Sequence, residues 1–161
     1  MTESFFSCGS SIDLCNRTLA KQVLENFSRE YTGLDTLIRI DGYYYQEVNK
    51  AVDGAAFMLS SNSEFHILYI QFQNHIQIQE KFGNNTPSSR GRGSYTLSGD
   101  TITVRWAMPF QFNCYDVFSQ KYVIENDTTL RLIRQELHDG KQRDPVRNEI
   151  YKFYKYPVEM K

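Results

Sequence analysis

From residue 36 onward the apolar residues of this chain tend to recur at every second position, in short runs broken by turn formers, and few folds accommodate that period. The clearest run is 101–108, where Ile102, Val104, Trp106 and Met108 alternate with Thr101, Thr103 and Arg105. A strand sends successive side chains to opposite faces, so one face of this run is buried and the other is wet. The same reading gives strands at 36–48, 54–60, 118–125, 128–137 and 146–155. It also pairs 64–73 with 76–82 as a hairpin across Asn74-His75. Tyr95-Thr96-Leu97 forms a short arm before the turn Ser98-Gly99-Asp100. Residues 83–93, crowded with Gly, Asn, Pro and Ser, read as an exposed loop, and 109–116 reads as an aromatic-rich connection.

Ahead of the strands, Leu19, Val23, Phe27 and Tyr31 recur every four residues, which predicts a helix over about 16–31. Asp13 or Asn16 can cap it, and Gly33 follows its end. Its polar face mixes Lys21, Glu25 and Arg29, so its apolar stripe is expected to pack on a sheet and not on a membrane surface. Residues 1–12 read as a flexible tail and 13–161 as one domain. Eight or nine antiparallel strands with tight connections expose edges unless they close. The expected fold is therefore mostly β, a single up-and-down antiparallel barrel of 8–9 strands with one N-terminal α-helix. A chain of 161 residues can bury the necessary core without a metal, and an aromatic share of 14% suits pleated surfaces.

Composition and motifs exclude several functions. A net charge of -1, from 18 basic and 19 acidic residues, provides no field to gather a polyanion, so no nucleic-acid partner is expected. No run of eighteen apolar residues is present to form a transmembrane helix. No nucleophile elbow, zinc-protease helix, phosphate loop or dinucleotide fingerprint occurs, and neither an enzymatic role nor a cofactor is expected. His66, His75 and His138 read as strand, turn and loop residues and not as a metal site, and Cys114 lacks a base nearby in sequence. Glu64, Glu80 and Asp127 are scattered, with Asp127 used by its turn. The Arg90/Arg92 and Lys141/Arg143/Arg147 groups read as loop solvation.

Several stretches carry a resemblance. Arg39-Ile40-Asp41-Gly42-Tyr43-Tyr44-Tyr45, the hairpin 93–104, the hairpin 122–132 and the closing Tyr151-Lys152-Phe153-Tyr154-Lys155 resemble the lipocalin-like domains of small bacterial cell-envelope lipoproteins. The likeness covers roughly 36–156 and implies a barrel and an envelope location more than an activity. Where lipocalins carry Gly-x-Trp, this chain has Gly42-Tyr43-Tyr44. The start, Met1 to Ser11, is similar to the tail of a lipoprotein signal, with Cys8 as the residue that would carry a lipid anchor. The reading of a plain tail stands beside it, since there is no basic stretch ahead of Phe5-Phe6. With Cys8 lipidated, Cys15 and Cys114 would remain as a pair in an oxidising compartment.

One functional idea remains, a cavity. An eight-stranded barrel is about wide enough to fill with its own side chains or to hold one small ligand. Ile76, Ile78, Ile102, Val104, Trp106, Tyr122, Ile124, Leu130 and Leu132 are expected to face inward, either as plain core or as the lining for a small apolar or amphipathic ligand. The alternative function is a structural or protein-interaction module at the cell envelope. It is motivated by the tyrosine run 43–45 and by Phe110, Phe112 and Tyr115, all read as surface aromatics.

Overall fold

The computed structural model describes residues 15–25, 36–46, 54–70, 75, 78, 80, 82, 90–110, 114–138 and 148–155. They include a helix, α1 (Arg17–Glu25), and eight strands: β1 (Gly42–Gln46), β2 (Gly54–Leu59), β3 (Glu64–Ile70), β4 (Arg90–Ser98), β5 (Thr101–Phe110), β6 (Cys114–Asn126), β7 (Thr129–Leu137) and β8 (Ile150–Lys155). Each strand pairs antiparallel with the next, and β8 returns to β1, so the sheet closes into an up-and-down barrel in chain order. Closure leaves no long open edge for such a meander to expose.

Alternation decides which residues enter the barrel. Tyr44, Phe57, Ile67, Tyr95, Val104, Trp106, Tyr122 and Leu132 point inward from seven of the strands and form one contiguous core. Much of it is aromatic. Tyr44 stacks on Phe57 with ring centroids 5.4 Å apart, and Phe57 meets Tyr122 and Tyr151 at 5.1 Å each. Tilted and offset ring packing of this kind adds to the area that the rings bury.

The hairpin expected between 64–73 and 76–82 does not form. β3 pairs with β4, Glu64 opposite Ser94, and His75, Ile78, Glu80 and Phe82 are helical. Ile78 and Phe82, four apart, share a face in a strand and in a helix alike, so periodicity alone could not separate the two. They lie on the outside of the barrel, against Tyr43, Ala56 and Leu68. β4 also starts earlier than expected, inside the glycine-rich stretch. Gly91 and Gly93 are buried strand residues, because a side chain at either would collide with Trp106. The connection read at 109–116 shrinks to 111–113, since β5 runs to Phe110 and β6 begins at Cys114.

The two ends of the barrel differ. At one end the strands are joined by short turns. Asn126 Oδ1 accepts from the Thr128 N–H at 3.0 Å, and Gly99 takes φ +62°. Asp127 sits in this turn without a left-handed backbone and acts through its backbone carbonyl. That carbonyl accepts the Arg39 N–H at 2.9 Å and the Tyr44 hydroxyl at 3.2 Å, which draws the segment 36–41 across this end with Ile38 fully buried beneath it. Arg39 grips Asp41 through two hydrogen bonds of 3.0 and 2.8 Å and lies over the Phe153 ring. The guanidinium holds the Asp41 carboxyl down at about 2, while burial pushes the Tyr44 hydroxyl up. At the opposite end, here called the mouth, β5 and β6 are joined by 111–113 and the other strands by the longer stretches 47–53, 71–89 and 138–149.

α1 packs outside the barrel, burying Ala20 and Val23 on Ala107 and Val117. The expected cap residue acts differently. Asn16 adopts φ 52° and its side-chain amide donates to the Tyr115 carbonyl at 3.1 Å, while its own carbonyl accepts the first helical bond from Ala20. A disulfide joins Cys15, just before α1, to Cys114 at the start of β6. Cys8, the tail 1–12, Phe27, Tyr31 and Ile76 lie outside the described residues. No described helix is long and apolar enough to cross a membrane.

Candidate functional site

The inward-facing residues fall into two layers. In the middle and toward the closed end, Ile102, Val104, Trp106, Tyr122 and Leu130 are 0% exposed and Leu132 is 2% exposed. Zero exposure means that a water-sized sphere touches these side chains neither from outside nor from within, so they fill the barrel and line no void. Ile124 is half-buried and packs against the same core. Of the expected lining residues, Ile78 is the correction. It is fully buried, but against the outer face of β1, β2 and β3, because it belongs to a helical segment and not to a barrel strand.

Within this core one polar side chain is enclosed. Gln120 of β6 faces inward between Phe118 and Tyr122 and is 2% exposed. Its Oε1 accepts the Trp106 indole N–H at 2.8 Å and the Tyr122 hydroxyl at 3.0 Å, and its Nε2 donates to Gln135 Oε1 at 2.7 Å. An indole can only donate. Trp106 therefore fixes which end of the Gln120 amide faces it, and Gln120 in turn fixes which end of the Gln135 amide faces Gln120. A second polar group gathers where β1 ends and β8 begins. The Tyr151 hydroxyl lies 3.5 Å from Gln46 Oε1 and 3.5 Å from Glu149 Oε2. Asp116, opposite Met108 in the β5–β6 register, shares the inward face. Gln46, Asp116, Gln135 and Glu149 are all half-buried, so solvent reaches this layer.

Alternation carried a signal for this layer that the apolar reading passed over. Gln120 occupies an inward position between two aromatics, and a polar residue there must either find partners or be costly. The tyrosine run read as a surface cluster is largely interior, with Tyr43 at 0% and Tyr44 at 1% exposure. Tyr43 faces outward from the barrel but is covered by Ile78, Phe82 and His75, whose Nδ1 lies 2.6 Å from the Tyr43 hydroxyl. Tyr115 is half-buried against α1, and nothing is described for the Phe112 residue or the Phe110 side chain.

The histidines are apart from one another. His66 faces Glu64 at 3.5 Å on β3, His75 meets Tyr43, and His138 follows β7. Among the described residues no three His, Cys, Asp or Glu side chains converge on a point that could hold a metal. Outside the barrel, α1 flanks a groove of about 280 Å³ bordered by Leu19, Val23, Arg105, Leu137 and His138.

The fold and this layer define a class, a closed eight-stranded antiparallel barrel with a filled middle and a polar, solvent-reached mouth. No protein-family model, curated protein or solved structure matches the chain.

Proposed function

We propose that the chain is a non-enzymatic, lipocalin-like binding protein whose small ligand is seated at the mouth of the barrel and not in its centre. The observation that carries the reading is the contrast between a fully occupied middle, Gln120 included, and the half-buried Gln46, Asp116, Gln135 and Glu149 on the inward face, which solvent reaches. Chain-order closure of eight strands and a segment drawn across one end support the lipocalin-like comparison. The apolar residues of the middle favour core over pocket lining, so an amphipathic ligand would direct its polar part at the mouth residues. The Cys15–Cys114 disulfide supports work in an oxidising compartment such as a cell envelope, with Cys8 as the candidate anchor position. The protein-interaction alternative loses its main motive, because Tyr43 and Tyr44 are buried.

Native mass spectrometry of gently purified protein, combined with thermal melts against a panel of small polar and amphipathic compounds, tests the reading. A retained small molecule, or stabilisation by a panel member that is lost in a Gln135→Leu variant, is expected. A bare mass with no stabilisation by any compound contradicts it.

A further inference from the structure

The barrel wall beside α1 carries two neighbouring rows of outward residues. Ala107 of β5 stands opposite Val117 of β6, whose carbonyl accepts the His138 N–H at 2.9 Å. Two residues along the strands, Arg105 stands opposite Ser119, and Ser119 opposite Glu136. Residues two apart on a strand share a face, so both rows look outward. α1 buries Ala20 and Val23 on the first row. The groove of about 280 Å³ runs between the helix and the second row, with Leu19, Val23 and Val117 as its apolar side and Arg105, Ser119 and Glu136 as its polar side.

The two charges of that polar row are not equivalent. Glu136 Oε1 accepts from Arg134 Nε at 2.8 Å and also from its Nη2, so its negative charge is already answered. Arg105 is exposed, and among the described residues no carboxylate pairs with its guanidinium and no acceptor takes its hydrogens. The hydroxyl of its half-buried neighbour Ser119 is likewise uncommitted among the described residues. Facing Cβ atoms of an antiparallel pair lie about 4.5–5.5 Å apart, close enough for a guanidinium and a hydroxyl to meet one acceptor. A carboxylate is the acceptor that a guanidinium grips through two parallel hydrogen bonds. A cation would face Arg105 instead, and a wholly apolar molecule would strip water from the guanidinium and return nothing.

Volume sets the size of the body behind that head. An apolar cavity of about 150 Å³ holds one benzene molecule. At that scale the groove takes about eleven non-hydrogen atoms, a ring with a short linker and a carboxylate. We infer that the groove between α1 and the β5–β6–β7 wall binds a small amphipathic carboxylate, its head on Arg105 and Ser119 and its apolar body against Leu19, Val23 and Val117. This site lies outside the barrel and stands independently of the ligand proposed for the mouth.

The full-length 15N-labelled chain is titrated separately with 3-phenylpropanoate, its uncharged counterpart 3-phenylpropanamide, and acetate. Saturable movement of the Leu19, Val23 and Val117 backbone signals is expected with 3-phenylpropanoate. The amide should bind about tenfold more weakly for want of one charge-assisted hydrogen bond, and acetate, which has no apolar body, should leave the signals in place. Because Arg105 is exposed, Arg105→Gln should keep the remaining spectrum; it should weaken 3-phenylpropanoate by about tenfold and leave 3-phenylpropanamide unchanged. Equal affinity for carboxylate and amide, or undiminished carboxylate binding by Arg105→Gln, overturns the assignment of the anion. A response to acetate as strong as that to 3-phenylpropanoate overturns the apolar contact. Movement confined to the inward-facing Gln46, Gln135 and Tyr151, or no saturable movement at all, overturns the site.

Discussion

Replacing Gly91 by alanine tests the packing of the barrel middle at its tightest point. A Cβ at this position would lie 2.4 Å from Trp106 Cε3, 2.6 Å from Cζ3 and 2.7 Å from Ile67 Cγ2. Comfortable carbon contacts begin near about 3.5 Å, so the methyl overlaps the ring by roughly 1 Å. The ring cannot retreat easily. Its N–H is tied to Gln120 at 2.8 Å, and on the β6 side Phe118 stacks on it with centroids 4.2 Å apart. Overpacking of a close-packed core costs about 1–3 kcal/mol, and with the ring held on both sides the expectation is the upper end, about 3 kcal/mol. For a domain of this size that lowers Tm by about 6–12 °C. Trp106 is the only tryptophan, so urea unfolding followed by its emission reads both stability and local displacement. Gly99→Ala serves as the contrast. There nothing lies within 4 Å, and the cost comes from φ +62° alone, about 1–2 kcal/mol, with native emission unchanged. A Gly91→Ala variant within about 0.5 kcal/mol of the parent would refute the close packing of Trp106 against β4.

Three further outcomes follow. Reducing Cys15–Cys114, or replacing both residues by serine, opens a link between positions 99 apart and should lower stability by about 2–4 kcal/mol; the urea midpoint of the parent should fall with reductant and that of the double variant should not respond. Ile78→Ala removes a fully buried side chain from the outer face and should cost about 2–4 kcal/mol in the same assay, whereas a solvent-exposed Ile78 would cost little. The Asp41 carboxyl is held at about 2 against an ordinary 3.8, so its contribution is complete above about pH 4 and disappears as pH falls through 2. The pair is surface-exposed, so Asp41→Asn should cost less than about 1 kcal/mol at neutral pH, and the difference from the parent should vanish in acid.

Much of the fold could be read from alternation because alternation is the physical demand of a half-buried strand. The runs 54–60, 101–108, 118–125 and 128–137 each contain or fall within a strand found in the barrel, and Ile102, Val104, Trp106 and Tyr122 face inward as their spacing requires. The failures have equally local causes. Ile78 and Phe82 satisfy both periods, and only the pairing of β3 with β4 decides between them. The glycines of 90–93 read as loop because their small size was attributed to turns, when it serves the approach of Trp106. The tyrosines of β1 read as surface because both faces of that strand are covered, by the barrel core on one side and by Ile78 and Phe82 on the other. The mouth layer was hidden for a related reason. Attention to apolar residues selected those that fill the barrel, while the chemistry resides in the polar residues that interrupt them.

The division of the barrel into a full middle and a receptive mouth is tested most directly by a crystal structure determined under xenon pressure. Xenon enters apolar voids of its own size and ignores filled ones. No xenon should lie among Phe57, Val104, Trp106 and Tyr122, whose rings and methyl groups already occupy that space. A well-occupied xenon atom between those four side chains would show a hollow, apolar centre and contradict the placement of the ligand at the amide-lined end.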